Sequence, residues 1–164
     1  MSLLELIKSG ESKTLEFKSS VPIDNKIPKT TIAFSNTAGG KIIIGVSNSG
    51  EIIGINEDDI PSLKDDIINS ISDCCFPNIL PNIYTANIDG KLLLIIEIFR
   101  GNLLPYYLKG KGKDAGTYIR IGATTRQADS ENIRELERKR NNISYDEEIY
   151  YDADLATLDI SPVV

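Results

Sequence analysis

A chain of 164 residues with 41% hydrophobic content is long enough for one domain with a proper core, and its apolar runs all fall short of the ~20 residues that cross a bilayer. The absence of histidine excludes histidine-based triads and histidine-ligated metals, while the two adjacent cysteines, Cys74 and Cys75, argue for a reducing cytoplasm and against a zinc site. The net charge of −6 comes from the end of the chain: Tyr145 onward carries six acids and no base, leaving 18 acids against 18 Lys plus Arg in residues 1–144. The N-terminus lacks the basic-then-apolar pattern of a secretory leader.

Taken in chain order, Leu3, Leu4, Leu6 and Ile7 predict a short amphipathic helix that ends at Gly10. Thr14 to Ser19 alternates, with Leu15 and Phe17 on one side and Glu16 and Lys18 on the other, as a half-buried strand does. Asn25 to Thr37 reads as a helix with Pro28 in its first turn, closed by Gly39-Gly40. Lys41 to Ser47 is an apolar, hence central, strand, and Asn48-Ser49-Gly50 turns it back into Glu51 to Ile55 as a hairpin. A helix begins at Asp58 or Asp59, with Pro61 in its first turn and Leu63, Ile67, Ile68 and Ile71 at helical spacing.

Pro77 and Pro81 bound a linker. Asn82 to Ile88 and Lys91 to Phe99 form a second hairpin around Asp89-Gly90, a favoured tight turn. Pro105 to Leu108 is a short extended piece, Lys109 to Lys113 a flexible glycine-lysine loop, Gly116 to Ile121 a strand and Ala128 to Asn141 a charged helix. The pattern predicts an α+β domain over residues 1–144. Its mainly antiparallel or mixed sheet is built from hairpins, with helices packed on one face. Residues 145–164 read as an acidic tail or the start of a linker.

Three places carry chemistry. From Arg100 to Arg126 there are six basic residues and one acid, Asp114. Within this stretch Tyr106 and Tyr107 stand beside Lys109, Lys111 and Lys113, followed by Arg120, Thr124, Thr125 and Arg126. Lysine attracts phosphate without regard to sequence, tyrosine stacks on exposed bases, and threonine hydroxyls donate to phosphate oxygens. Glu11 and Glu16, with Lys18, form the second place: two converging carboxylates would take Mg²⁺ or Mn²⁺, although spacing alone favours pairing of Glu16 with Lys18 or a neighbouring strand. The third is Gly39-Gly40, read as a tight helix-to-strand turn. It is not a P-loop, because Ser35 stands where the first glycine belongs and Ile42 follows Lys41.

Together, Glu11-Ser12, Leu15 to Lys18, Ala33 to Lys41, Ile44-Gly45-Val46, Gly50 to Gly54, Tyr106 to Gly110, Gly116 to Arg126 and Asn142 to Glu147 resemble the Schlafen-type AlbA-like domain family. The resemblance implies the DNA-binding domain of a bacterial transcriptional regulator, often continued by an ATPase-like or winged-helix region. Its partner is then nucleic acid, DNA first, with no cofactor and no membrane, and with self-association left open. Some relatives cut RNA with two glutamates and an aspartate. Glu11 and Glu16 would correspond to the glutamates, but Asn48 stands where the aspartate is expected, and Asp89 or Asp114 would have to approach in space to replace it. A metal-dependent ribonuclease is therefore the alternative reading, and a protein-interaction module a third.

Overall fold

The computed structural model describes residues 1–22 and 24–143. The acidic segment expected from Tyr145 lies outside the described residues. The central sheet has four strands in the order β1 (Leu15–Lys18), β2 (Gly40–Ile44), β5 (Lys91–Ile98) and β4 (Asn82–Ile88). β1 runs parallel to β2, with Phe17 opposite Ile43, while β2–β5 and β5–β4 are antiparallel, so the sheet is mixed. Two small antiparallel pairs complete the strands: β3 (Cys75–Phe76) with β6 (Tyr107–Leu108), and β7 (Tyr118–Ile121) with β8 (Thr124–Gln127).

Side-chain alternation splits the core in two. Ile42 and Ile44 of β2, with Leu94, Ile96 and Ile98 of β5, pack against α2 (Lys26–Asn36) and α3 (Ile60–Cys74). Ile43, Leu93 and Ile95 point the other way, onto Phe17, Val46 and Ile7 of α1 (Leu3–Lys8). The expectation of helices on one face is thus corrected. A strand apolar on both sides needs both sides covered, and α1 supplies the second cover. Ser2 caps that helix reciprocally with Glu5, an arrangement that leaves neither backbone donor bare.

The Asp89-Gly90 turn closes β4–β5 with positive φ at both residues, as a type I′ hairpin requires. The other expected hairpin does not form. β2 ends at Ile44, and the segment to Ile55 makes only single bridges, Val46 with Ile52 and Ile55 with Leu92. The Gly45 carbonyl accepts from the N–H groups of both Ile53 and Gly54, closing a loop that hands Ile55 to the start of β5. α3 begins after a 3₁₀ turn at Glu57–Asp59, capped by Asn56, and buries Ile60, Ile67 and Ile71, whereas Ile68 is exposed. The glycine-lysine loop is partly helical, as α4 (Gly112–Gly116), and a last helix, α5, covers 130–143 behind an Asp129–Asn132 cap. Among the described residues no helix is long and apolar enough to cross a membrane.

Gly39 joins α2 to β2 at φ +73, and a Cβ there would stand 2.8 Å from the Ile98 carbonyl oxygen and 3.1 Å from the Arg100 nitrogen. Both neighbours are backbone and cannot swing aside. Gly39→Ala is therefore expected to cost about 2 kcal/mol or more, from left-handed strain plus the close approach. Thermal unfolding should show a Tm lower by about 5 °C; an unchanged Tm would refute this account of the turn.

Candidate nucleic-acid interface

The end of α2 organises the surface that faces the basic segment. Asn36 is buried, and its side-chain amide holds three backbone groups at once. Nδ2 donates to the carbonyls of Tyr106 (2.9 Å) and Tyr118 (2.8 Å), while Oδ1 accepts from the Tyr106 N–H at 2.7 Å. On either side of it, the Ser35 carbonyl accepts from the Gly101 N–H (3.0 Å), and the Thr37 hydroxyl accepts from the Arg120 N–H (3.2 Å). The run Ser35-Asn36-Thr37 thereby ties the 99–106 segment and β7 to one helix end.

Arg120 departs from the exposed position expected of it. In the β7 alternation Tyr118 and Arg120 face inward and Ile121 faces out. The Arg120 side chain is fully buried, with the Phe34 ring 5.0 Å away. Nη1 reaches Glu16 Oε1 (2.6 Å) and Thr125 Oγ1 (3.1 Å), Nη2 reaches the carbonyls of Ser12 and Leu15 (3.0 Å each), and Nε reaches that of Ser12 (3.3 Å). All five guanidinium N–H groups are answered. Tyr106 is likewise buried, its hydroxyl accepting from the Leu103 N–H, and Thr125 is half-buried beside Arg120. These three residues build the surface from behind.

Lys109, Lys111, Lys113 and Arg126 are exposed. Lys109 Nζ touches the Ser72 carbonyl, Lys111 Nζ lies 3.5 Å from the Tyr118 hydroxyl, and Lys113 pairs with Glu137 of α5 at 2.6 Å. The Glu137 carboxylate holds the Lys113 ammonium above its ordinary range. Tyr107 is half-buried against Phe76, ring centroids 5.7 Å apart. Phe76, Tyr107, Lys113 and Arg140, with Pro77 and Pro105, line one open cavity of about 690 Å³. Sequence reasoning did not find Asn36 or Phe76 in this setting, because each acts through partners more than thirty residues away, and it left Arg140 as one charge of a solvated helix.

The acidic pair is differently placed. Glu11 Oε2 accepts from the Phe17 N–H at 2.9 Å. Glu16 holds Arg120 through Oε1 and Lys18 through Oε2 (2.9 Å), with the Thr30 hydroxyl at 3.4 Å. Burial would raise the Glu16 carboxyl, but the hydrogen bonds and charges of Lys18 and Arg120 outweigh it and hold the group below its ordinary value. Asn48 is exposed in a turn shaped by Ser47 and Ser49. Asp89 and Asp114 do not join the pair: among the described residues no three acidic, cysteine or histidine side chains gather where a metal would need them. A Glu16 carboxylate already neutralised by two cations does not fit a divalent ion that requires oxygen ligands and negative charge. The Cys75 thiol, pushed up to about 12 by burial and by neighbouring Cys74, is inert.

A mixed four-stranded sheet with α2 and α3 on one face and α1 on the other is an α+β fold. Residues 11–129 match the family described as Schlafen, AlbA_2, and the chain belongs to that family. Among solved structures, it is similar to the N-terminal domain of a RecG-related protein from Nitrosomonas europaea, named for the ATP-dependent DNA helicase. That match has 23% identity and a TM-score of 0.55 and covers 77% of this chain and 90% of that one. A protein of Corynebacterium diphtheriae is similar at 20% identity and TM-score 0.55, over 77% of this chain but 24% of its own. The chain thus spans about a quarter of that protein's length. These likenesses show the fold. No curated protein matches the chain.

The Glu16–Arg120 pair generates a test. Glu16→Gln leaves a buried guanidinium short of its counter-charge and is expected to cost about 3 kcal/mol in urea unfolding at pH 7. Because the folded carboxyl is depressed, its contribution is complete above the ordinary glutamate value of about 4.3 and is lost as pH falls through the lowered value. The stability gap between wild type and Glu16→Gln should therefore close on acidification below about pH 4.3; a gap constant to pH 2 would contradict the pairing.

Proposed function

We propose that this domain binds nucleic acid, DNA in a regulatory setting in a bacterial cytoplasm, mainly through phosphate contacts. The observation that carries this reading is the cavity at the foot of the glycine-lysine segment. There Lys113, paired with Glu137, and Arg140 stand with the Phe76–Tyr107 ring pair, and the exposed Lys109 and Lys111 precede Lys113 in the same segment. Ammonium and guanidinium groups release counterions from phosphates, and a partly exposed ring accepts a stacked base. Nothing in this surface resembles a helix aimed at base edges, so the contact is sequence-tolerant. Membership of the AlbA-related family and the DNA-helicase relation in the name of the Nitrosomonas neighbour support the same direction.

In this reading the contact set is Lys109, Lys111, Lys113 and Arg126. Arg120, Thr125 and Tyr106 hold the frame. Four phosphate contacts give a log–log salt slope of roughly −4 on duplex DNA. Changing Lys109, Lys111 and Lys113 together to Ala should remove roughly three units of slope, read by fluorescence anisotropy across a salt series. Unchanged affinity and slope would show that this segment is not the contact surface.

The enzymatic alternative leads to a separate expectation. With both Glu16 oxygens engaged by cations and an amide at Asn48, neither RNA nor single-stranded DNA should be cleaved in the presence of Mg²⁺ or Mn²⁺ at neutral pH. Cleavage by the wild type that Glu11→Gln and Glu16→Gln both abolish would promote the ribonuclease reading above the binding one.

A further inference from the structure

A second concave surface lies at the Gly39-Gly40 turn. Thr14, Gly39, Gly40, Lys41, Ile98, Phe99 and Arg100 line a groove of about 360 Å³, with Leu6 and Glu97 at its edges. Phe99 is 62% exposed, unusual for a phenylalanine at the end of a core strand. Beside it stand Lys41 and Arg100, which make no side-chain hydrogen bond or ion pair among the described residues. Glu97 is engaged by Asn82 Nδ2 at 3.2 Å. The groove therefore carries two cations, one anion and one bare aromatic ring.

The backbone that presents this ring is held from both sides. The Phe99 carbonyl accepts from Ser35 Oγ (3.4 Å), and the Gly101 N–H donates to the Ser35 carbonyl (3.0 Å). Gly39 presses against the Ile98 oxygen and the Arg100 nitrogen, where a side chain would not fit. Phe99 and Arg100 also line the adjoining concavity of about 170 Å³ with Leu80, so the ring stands on a ridge between two hollows. A side chain on a pinned ridge loses little conformational freedom when something stacks on it.

We infer that this groove is a second nucleic-acid subsite that takes one unpaired nucleotide of a single strand, its base on the Phe99 ring and its phosphate between Lys41 and Arg100. This rests on the nucleic-acid reading above but uses different residues. Two cations against one carboxylate leave a surplus of one positive charge, which matches one phosphodiester. The volume sits at the low end of small-ligand pockets, about 300–1,000 Å³, and admits a nucleotide but not a duplex. A paired base has its faces covered by its neighbours and cannot reach the ring, so the groove selects unpaired strands. DNA and RNA share this chemistry.

The test exploits the absence of tryptophan from the chain. Phe99→Trp places a single reporter on the ridge without touching the core. Oligothymidylate should quench its emission, a hairpin duplex should not, and oligouridylate in a parallel arm separates DNA from RNA; quenching by either strand supports the subsite. Phe99→Ala should weaken single-strand affinity about tenfold and leave duplex affinity unchanged. The Lys109/Lys111/Lys113 triple alanine variant, built on Phe99→Trp, separates the two readings. Quenching that survives while duplex binding is lost supports both sites. No quenching while duplex binding is lost overturns this subsite alone. No quenching while the triple variant still binds duplex as its parent does overturns both. Equal losses for both nucleic acids in Phe99→Ala, or an emission change that tracks protein concentration without nucleic acid, would likewise overturn it, the latter by marking a contact between copies.

Discussion

A guanidinium cannot be withdrawn from water unless protein oxygens replace its hydration, and the rest of this structure is arranged around meeting that condition for Arg120. Its five donors draw in the Ser12 and Leu15 carbonyls at the entry of β1, the Glu16 carboxylate on β1 and the Thr125 hydroxyl on β8. The edge strand of the main sheet and the small β7–β8 pair are not hydrogen-bonded strand to strand, yet one side chain locks them together. Phe34 of α2 closes the ring of contacts from the helix side. A lysine at this position would deliver one charge and three donors from a single atom and would leave most of those oxygens unanswered.

Asn36 repeats the logic with a neutral group. Its amide holds Tyr106 and Tyr118, residues 70 and 82 positions further along the chain, at one point of α2. With Ser35 and Thr37 on either side, three consecutive polar residues at a helix end fix the paths of two distant segments. The exposed groups that follow from those paths inherit their placement: Tyr107 next to Tyr106, Phe99 and Arg100 next to Gly101, Ile121 next to Arg120. Burial of polar groups at one layer sets which side chains are free at the next.

This division explains what was legible in the sequence. Local signals read true where the structure is local: the Asp89-Gly90 turn, Pro61 in the first turn of α3, the apolar run of β2 and the Gly39-Gly40 corner all follow from short-range chemistry. The parallel pairing of β1 with β2 has no such signal, since it depends on a crossover through α2. The Glu51–Ile55 strand failed because Gly45 offered its carbonyl to two donors at once, a choice invisible in the residue pattern. Arg120 was misplaced because an arginine between two isoleucines reads equally well as polar-out or as charge-in, and only the carboxylate 104 positions earlier decides it. The grouping of basic residues between Arg100 and Arg126 was visible in the sequence, but which of them remain exposed was not.

The same electrostatics separates the charges that hold this fold together from those left exposed. A carboxylate whose charge is spent on a buried guanidinium stabilises the fold, and the deeper the guanidinium lies, the less negative potential that carboxylate has left for a cation from solution. Glu16 is held below its ordinary pKa by the partners that make it unavailable. Recruiting it for a metal would require Lys18 to leave and Arg120 to remain buried with a divided counter-ion, a state that the low-dielectric interior penalises. The cations that carry no such obligation, Lys41 and Arg100 at one groove and Lys109 and Lys111 near the other, lie outside that knot. In this chain, then, a basic side chain is open to a partner from solution to the degree that the fold does not already depend on it.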